Sequence, residues 1–304
     1  MAWFLNFKPV GQYKPLSQFY LETISSWLFN GSGATYWMLV FLLFFIVITG
    51  RYLLVAGIFY TVFFIWHRQK WHQRKLIQRA YPAGQLRKEI GWSTISSVIF
   101  ALAGTITWWL WQSGNTRVYL DPATYGWWYL PLSLMISMFI QETYYYWLHR
   151  LMHHRAVFSL VHKVHHDSVT TSPFTAFSFH PLESIIQAVV LPVILVVLPL
   201  HPVVIVIQLL LMSLTSVINH LNIDIFPDSR VKESLGKFMI GATHHSVHHT
   251  HAKRNFGLYF TFWDKLLKTE GHYVQKHAND KNRHVDKAAH SQHGLQHSIM
   301  ERKG

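Results

Sequence analysis

The longest apolar stretch of the chain, residues 34–66, constrains the fold more than any other feature. Its main interruption is the pair Gly50-Arg51. A helix needs about 20 apolar residues to cross the hydrocarbon core of a bilayer, so this stretch predicts one long tilted helix rather than two short segments. Composition agrees, because 13% of the residues are charged and 50% are hydrophobic, against about 25% charged residues in ordinary soluble domains. The sequence therefore predicts an integral membrane protein.

Further apolar segments predict a multi-pass, all-α fold. They cover residues 92–111 and 127–147, and a hairpin with arms 184–198 and 203–217, which gives about four transmembrane helices or hairpin arms. Residues 67–90 carry seven Lys or Arg side chains and one Glu, which places this loop in the cytoplasm by the positive-inside rule. The formal net charge of +13 is then explained by basic loops beside anionic lipid rather than by nucleic acid.

Composition changes along the chain and predicts three regions. Residues 1–33 are polar and aromatic and are expected to form an interfacial N-terminal segment, and residues 34–271 are expected to form the membrane-embedded catalytic domain. Residues 272–304 are polar and contain six histidines that lack a fixed face. This His-rich tail is predicted to be disordered and dispensable, because it cannot bury enough apolar surface to offset the entropy of ordering it.

Three histidine groups lie at the ends of apolar segments. Residues three and four apart share one face of a helix, so each group can present several ring nitrogens in one direction. The groups are His149/His153, His162/His165/His166 and His245/His248/His249. Neutral imidazole is the commonest protein metal ligand, and eight imidazoles are too many for one tetrahedral zinc but suit two metals held close together. The predicted topology places all three groups in a helical cap on the cytoplasmic side, which would carry a histidine-rich dimetal site.

Two other residue types narrow the chemistry. The chain has no cysteine, which excludes thiolate ligands, disulfides and iron–sulfur clusters. Glu142 shares a helix face with Tyr146, His149 and His153. An ionisable residue at membrane depth is a functional candidate, and a carboxylate hydrogen-bonded to a neighbouring tyrosine is the alternative interpretation.

Seven motifs follow one another between residues 95 and 270. They are H-x-x-x-H, H-x-x-H-H, F-H-P-L-E, an apolar hairpin, N-H-x-N, H-H-x-x-H-H and N-F-G-x-Y-F-x-x-W-D. This order resembles the fatty acid hydroxylase/sterol desaturase superfamily, and within it the sterol C-5 desaturase-like branch. The resemblance implies that the eight box histidines are metal ligands and that His220 and His244 are further ligands. The chain departs from the family at His220-Leu221-Asn222, where relatives often have His-Asp.

The resemblance also implies a membrane di-iron oxidoreductase. Such an enzyme uses O₂ and external electrons to hydroxylate or desaturate a lipid, here sterol-like, fatty acyl or otherwise long and hydrophobic. The expected cofactor is two iron ions, with zinc as an alternative occupant of purified protein. The electrons are expected from a separate carrier, such as cytochrome b5 or ferredoxin, and its reductase. The lipid is expected to reach the metals through a slot between helices that is lined by Phe139, Tyr146, Phe177 and Leu209.

Two other classes of membrane protein place histidines near spans. A multi-pass zinc or iron transporter, or another metal-binding membrane protein, is the alternative function. A transporter should carry polar residues at mid-depth in several helices, whereas the histidines here cluster outside the predicted bilayer. A site-2-type membrane protease would need H-E-x-x-H with a catalytic glutamate, and both His149-Arg150 and His245-Ser246 lack that glutamate.

Overall fold

The described part of the chain is built from helices. The computed structural model describes residues 26, 31–226 and 236–271, and these contain no β-strand. The predictions for most of the N-terminal segment and for the 272–304 tail lie outside the described residues. The α-helices are α1 (Ala34–Tyr60), α2 (Arg68–His72), α3 (Gln85–Gln112), α4 (Tyr129–Met152), α5 (Arg155–Val161), α6 (Lys163–His166), α7 (Pro181–Ala188), α8 (Val190–Val197), α9 (Pro202–Asn219), α10 (Ala242–His251) and α11 (Phe262–Leu266).

Three helices are long and apolar enough to cross a membrane. They are α3, α9 and α1, which continues through the π-helical turn Thr61–Trp66 into one helix of 33 residues. The prediction of a single continuous helix over residues 34–66 is therefore confirmed. The third predicted span, α4, carries Gln141 and Glu142 in its interior and falls outside this set, as does the shorter apolar segment Pro181–Val197. The all-helical prediction is confirmed with three candidate spans.

The helices α1 and α3 pack together through small residues of α3. Gly104 lies beneath the ring of Phe44, and a Cβ atom at Gly104 would stand 3.1 Å from that ring. Ser93 and Ser96 are fully buried on α3 as well, but they donate to the carbonyls of Phe174 and Phe179 and so face the segment before α7. Small side chains let helix backbones approach closely where lipid gives no hydrophobic driving force between them. The helix α9 contacts α1, α4 and α10, so it links the membrane helices to the region that holds the third histidine group.

A buried carboxylate on α3 fixes the segment that follows α6. The carboxylate of Glu89 accepts four hydrogen bonds of 2.6 to 2.9 Å, from Gln85 and from the hydroxyls of Ser168, Ser172 and Thr175. A buried charge needs such donors to offset the loss of hydration. Glu89 thereby ties residues 168–175 to the start of α3 and holds the short histidine-bearing helix α6 in place.

Candidate metal centre

Nine buried or half-buried histidines converge in two adjacent groups. In each group, the possible ligand atoms lie within 4.8 Å of one another. All eight histidines of the predicted boxes are included, and His220 joins them. The larger group, called the five-histidine group here, contains His149, His153, His162, His166 and His248, and the four-histidine group contains His165, His220, His245 and His249.

The five-histidine group combines the end of α4 with α6 and α10. His149 lies in the last turn of α4 and His153 is the residue that ends it. The Nε2 atom of His149 lies 3.1 Å from Nε2 of His162. The Nε2 atom of His248 lies 3.1 Å from that of His153 and 3.0 Å from that of His166. The Nε2 atoms therefore point to one common centre.

The four-histidine group is centred on His220, at the C-terminal end of α9. Its Nε2 atom lies 3.1 Å from Nε2 of His165 and 2.9 Å from Nε2 of His245. The Nε2 atoms of His245 and His249 are 3.2 Å apart. The two groups touch, because the rings of His166 and His249 stack with centroids 4.6 Å apart.

The structure corrects the simple expectation of one metal-facing patch for each motif. Within H-x-x-H-H, His165 belongs to the four-histidine group while its neighbours His162 and His166 belong to the other. The third motif is divided in the same way, with His248 separated from His245 and His249. Each of these short helices therefore contributes rings to both groups, which brings the two centres close together.

Backbone carbonyl oxygens fix the orientation of several rings. The Nδ1 atom of His149 lies 2.8 Å from the carbonyl of Phe256, that of His248 lies 2.7 Å from Arg254, and that of His220 lies 2.7 Å from Ser216. A carbonyl oxygen only accepts, so Nδ1 donates its proton in each contact and Nε2 keeps a free lone pair. The same arrangement orients metal-bound histidines in general.

A carboxylate takes the place of the carbonyl behind His162. The Nδ1 atom of His162 lies 2.8 Å from Oε1 of Glu183, and both side chains are completely buried. Glu183 is the glutamate of the F-H-P-L-E motif, for which the sequence indicated no role. Gln187, one turn later on α7, donates a hydrogen bond of 3.0 Å to the same oxygen and helps to hold the carboxylate in position.

Burial keeps the rings in the form that binds metals. Desolvation lowers the pKa of His248 to about 4. Desolvation, reinforced by neighbouring histidines, also lowers the pKa of His165 and of His249 well below the ordinary value. Since burial disfavours the charged imidazolium, these rings are neutral at physiological pH and carry the lone pair that a metal ligand requires.

The donor arrangement fits a metal ion in each group. Nδ1 of His165 faces the carbonyl of Ser178 at 3.4 Å, as Nδ1 of His220 faces Ser216, so the Nε2 atoms of both rings carry lone pairs. Two lone pairs 3.1 Å apart repel each other unless a cation lies between them. Nitrogen donors of this kind suit iron, zinc, copper and nickel.

Three other histidines near the centre lie outside both groups. The structure does not bring His244 among the Nε2 atoms, and its own Nε2 lies 3.9 Å from a carboxylate oxygen of Glu270. The Nδ1 atom of His180 accepts a hydrogen bond from the backbone of Leu182 at the start of α7, and that of His154 caps α5 in the same way. His154 and His180 therefore stabilise helix starts.

Two carboxylates hold the loop that orients His149. The amides of Phe256 and Gly257 donate to Asp264, at 3.0 and 2.9 Å. The next three amides, of residues 258–260, donate to Glu142 at 2.6 to 3.3 Å. Glu142 thus binds backbone amides and not a tyrosine hydroxyl, and it acts by fixing the loop whose Phe256 carbonyl faces His149. Neither carboxylate lies in the two histidine groups.

A long apolar cavity leads to the four-histidine group. Its volume is about 610 Å³, and His220 and His245 contribute to its wall. Residues from both ends of α9 line it, from Pro202 to Asn219. This helix has 18 residues, so the cavity extends over about 27 Å.

The prediction of the residues that line the lipid slot is partly correct. Phe177 and Leu209 line the cavity, as expected. Phe139 does not, because its half-exposed ring packs against Phe262. Tyr146 does not either, because its buried hydroxyl pairs with Thr269 at 2.8 Å.

These features define a helical membrane protein with two adjacent all-histidine groups, each able to hold a metal ion, at the end of an apolar cavity. A fatty acid hydroxylase family model matches residues 134–269, which include every histidine of both groups. The chain belongs to the fatty acid hydroxylase/sterol desaturase superfamily. No solved structure matches it.

Relatives of the chain include sterol desaturases and sterol oxidases. A Delta(7)-sterol 5(6)-desaturase of Aspergillus fumigatus is 30% identical over 71% of this chain and 70% of its own length. Lathosterol oxidase of Mus musculus is 32% identical over 59% of this chain and 56% of its own length. C-4 methylsterol oxidase of Schizosaccharomyces pombe is 34% identical over 53% of each chain. The chain thus spans about half the length of several relatives, and these matches do not support the transporter alternative.

Proposed function

We propose that this chain is a membrane di-iron oxidoreductase that uses O₂ and external electrons to hydroxylate or desaturate a lipid. The observation that carries the proposal is the long apolar cavity that ends at two groups of buried, neutral imidazoles. The names of the relatives, a sterol desaturase and two sterol oxidases, support a lipid substrate. Iron bound in both groups would supply the activation of O₂ and the oxidation of an unactivated C–H bond.

The residues of the chain have distinct roles in this proposal. The five-histidine group would hold one metal ion and the four-histidine group the other. Backbone carbonyls or the Glu183 carboxylate face the Nδ1 atoms of five of these rings, and this would turn their Nε2 lone pairs towards the metals. The apolar walls of the cavity exclude water from the C–H bond that reacts and bind the hydrocarbon of the lipid. The protein therefore supplies ligand geometry, orientation and a dry pocket.

Contacts of the basic loop support a cytoplasmic position for the centre. The amide of Leu76 donates to the carbonyl of Asn222, and the amide of Ile77 donates to its side-chain oxygen, at 3.0 and 2.9 Å. Both donors belong to the Lys/Arg-rich loop, and Asn222 lies two residues after His220. The loop and the centre therefore lie on one side of the membrane. A separate electron carrier, such as cytochrome b5 or ferredoxin, would reach the metals from that side.

The test uses purified protein in lipid nanodiscs with a chemical or enzymatic reductant, and it follows O₂ consumption together with mass spectrometry of the extracted lipids. The wild-type chain should add oxygen to a lipid, or remove two hydrogens from it, only when O₂ and electrons are supplied. His165→Ala should abolish the product and lower the metal content, because the fully buried His165 belongs to the four-histidine group and its Nε2 atom lies 3.1 Å from that of His220.

His251→Ala is the matched control, because this histidine is exposed on α10 and lies outside both groups. It should keep wild-type activity and metal content. Full oxidation by the His165→Ala variant, or a wild-type product that forms without O₂, would overturn the proposed function.

A further inference from the structure

Arg51 brings a positive charge into the interior of the first membrane helix. It lines the cavity on the same face of α1 as Phe44, Val47 and Ile48. Among the described cavity-lining residues, it is the only Lys, Arg, Asp or Glu side chain. An ionisable residue within a membrane span is costly and is retained where it has a function.

Arg51 has no partner among the described residues. Its Nε atom is fully buried and makes no hydrogen bond, and its guanidinium forms no ion pair with a described residue. The buried carboxylates of the bundle are engaged elsewhere. Glu89 binds four donors, Glu142 binds backbone amides, and Glu183 faces His162. A charge inside a membrane bundle is costly without a counter-ion, and an acidic group on a ligand in the cavity would compensate the half-buried Arg51.

The contacts of the neighbouring Tyr52 show where Arg51 lies along the cavity. The ring of Tyr52 contacts Phe177 with centroids 5.2 Å apart, and Phe177 lies 6.4 Å from Phe179. Phe179 in turn contacts the ring of His165 at 5.1 Å. Arg51 therefore lies in the half of the cavity nearer the metal centre. The opposite half, towards Trp111 and Pro202, is lined almost entirely by apolar side chains.

We propose that Arg51 binds a carboxylate at the polar end of the lipid substrate, with the hydrocarbon extending along α9 towards Pro202. A guanidinium presents a planar fork of N–H donors that matches the two oxygens of a carboxylate. A neutral hydroxyl would accept fewer of these donors and would leave the charge uncompensated. The inference deepens the proposed function, because it assigns the cavity to the lipid substrate and names the acidic group that this lipid carries.

Equilibrium binding to purified, metal-loaded protein tests the inference without turnover. Two pairs of ligands differ only in the acidic group, namely palmitate against hexadecanol and cholesterol hemisuccinate against its neutral methyl ester. In the pair whose hydrocarbon fits the cavity, the wild-type chain should bind the acid roughly tenfold more tightly, as expected for hydrogen bonds to a charged group. Arg51→Leu should abolish this preference, while its affinity for the neutral ligand stays the same.

Two further variants make the test specific. Arg51→Lys keeps the charge but loses the fork, so it should retain only part of the preference. Arg87→Leu removes an exposed arginine of α3 outside the cavity and should leave both affinities unchanged. Equal wild-type affinity for acid and neutral ligand in both pairs, or an acid preference that survives in Arg51→Leu, would overturn the inference.

The outcome is separable from that of the proposed function. A protein that binds the acid selectively but never oxidises a lipid would keep the assignment of Arg51 and contradict the oxidoreductase. A protein that oxidises lipids with no preference for the acid would keep the oxidoreductase and contradict the assignment of Arg51.

Discussion

Individual residues around the candidate metal centre orient five of its nine imidazoles from behind, at the Nδ1 atom. The Nδ1 contacts of His149, His220 and His248 end on backbone carbonyls, and that of His162 ends on Glu183. A carbonyl cannot be removed by a side-chain substitution, whereas Glu183 can. This makes Glu183 the residue at which the orientation of a single ring can be tested.

Glu183→Gln should weaken metal binding by the five-histidine group roughly 10- to 100-fold, the usual cost of losing a group that orients a ligand. The amide is nearly isosteric with the carboxylate, so the fold should persist. Competition with a chromophoric chelator measures the affinity. The control is Asp121→Asn, at an exposed residue that caps a turn and lies outside both histidine groups, and this variant should bind metal as the wild type does. An unchanged affinity in Glu183→Gln would contradict the role given to this carboxylate.

At the scale of elements, the loop 256–260 connects the centre to two helices. Five consecutive amides of this loop donate to Asp264 on α11 and to Glu142 on α4. The loop packs so closely that there is no room for a side chain at Gly257. A Cβ atom there would stand 2.6 Å from the carbonyl oxygen of Phe260 and 2.9 Å from Glu142 Oε1. The glycine in N-F-G-x-Y-F is explained by this close approach.

Gly257→Ala should therefore destabilise the protein by about 1–3 kcal/mol, because overpacking forces the backbone to shift. Gly91→Ala is the matched control, since a Cβ on that exposed helical glycine meets nothing within 4 Å. It should leave stability unchanged or raise it by up to about 1 kcal/mol through helix propensity. The melting temperatures of the two variants, measured by thermal unfolding in detergent, test this difference in stability. Equal melting temperatures for both variants would contradict the packing described for the loop.

The elements also show which parts of the site could be predicted from sequence. Histidine spacing identified all eight box residues, because positions three and four apart on a helix are close whatever the tertiary fold. The division of neighbouring His165 and His166 between two groups was not predictable, since it depends on how α6 packs against α9 and α10. His220 has no periodic partner in the sequence, and only the family resemblance pointed to it.

Other features had no signal in the spacing of residues. Backbone carbonyls hold most of the oriented rings, and every residue has a carbonyl, so no pattern marks Phe256 or Arg254. Glu142 was recognised as unusual for its depth, but its partners lie more than 100 residues away. The long apolar stretches predicted the helices well, because length and hydropathy alone decide whether a helix can span a bilayer.

Considered as a whole, the molecule combines a membrane bundle with a centre assembled from distant parts of the sequence. The ends of α4 and α9, the short helix α6 and the helix α10 supply the nine histidines. The cavity joins this centre to the interior of the bundle. The central claim is that these nine residues hold two metal ions and that the histidines of the 272–304 tail are not required.

Metal content per chain tests this claim most directly. The full chain and a chain that ends at Gly271, both purified from membranes and measured by inductively coupled plasma mass spectrometry, should each contain about two iron ions, as a dimetal oxygen-activating centre requires. The variants His153→Ala and His249→Ala remove one histidine from each group. Each variant should lower the metal content towards one iron ion per chain. A wild-type chain that saturates at a single metal ion, or a shortened chain that folds but loses one, would contradict the account.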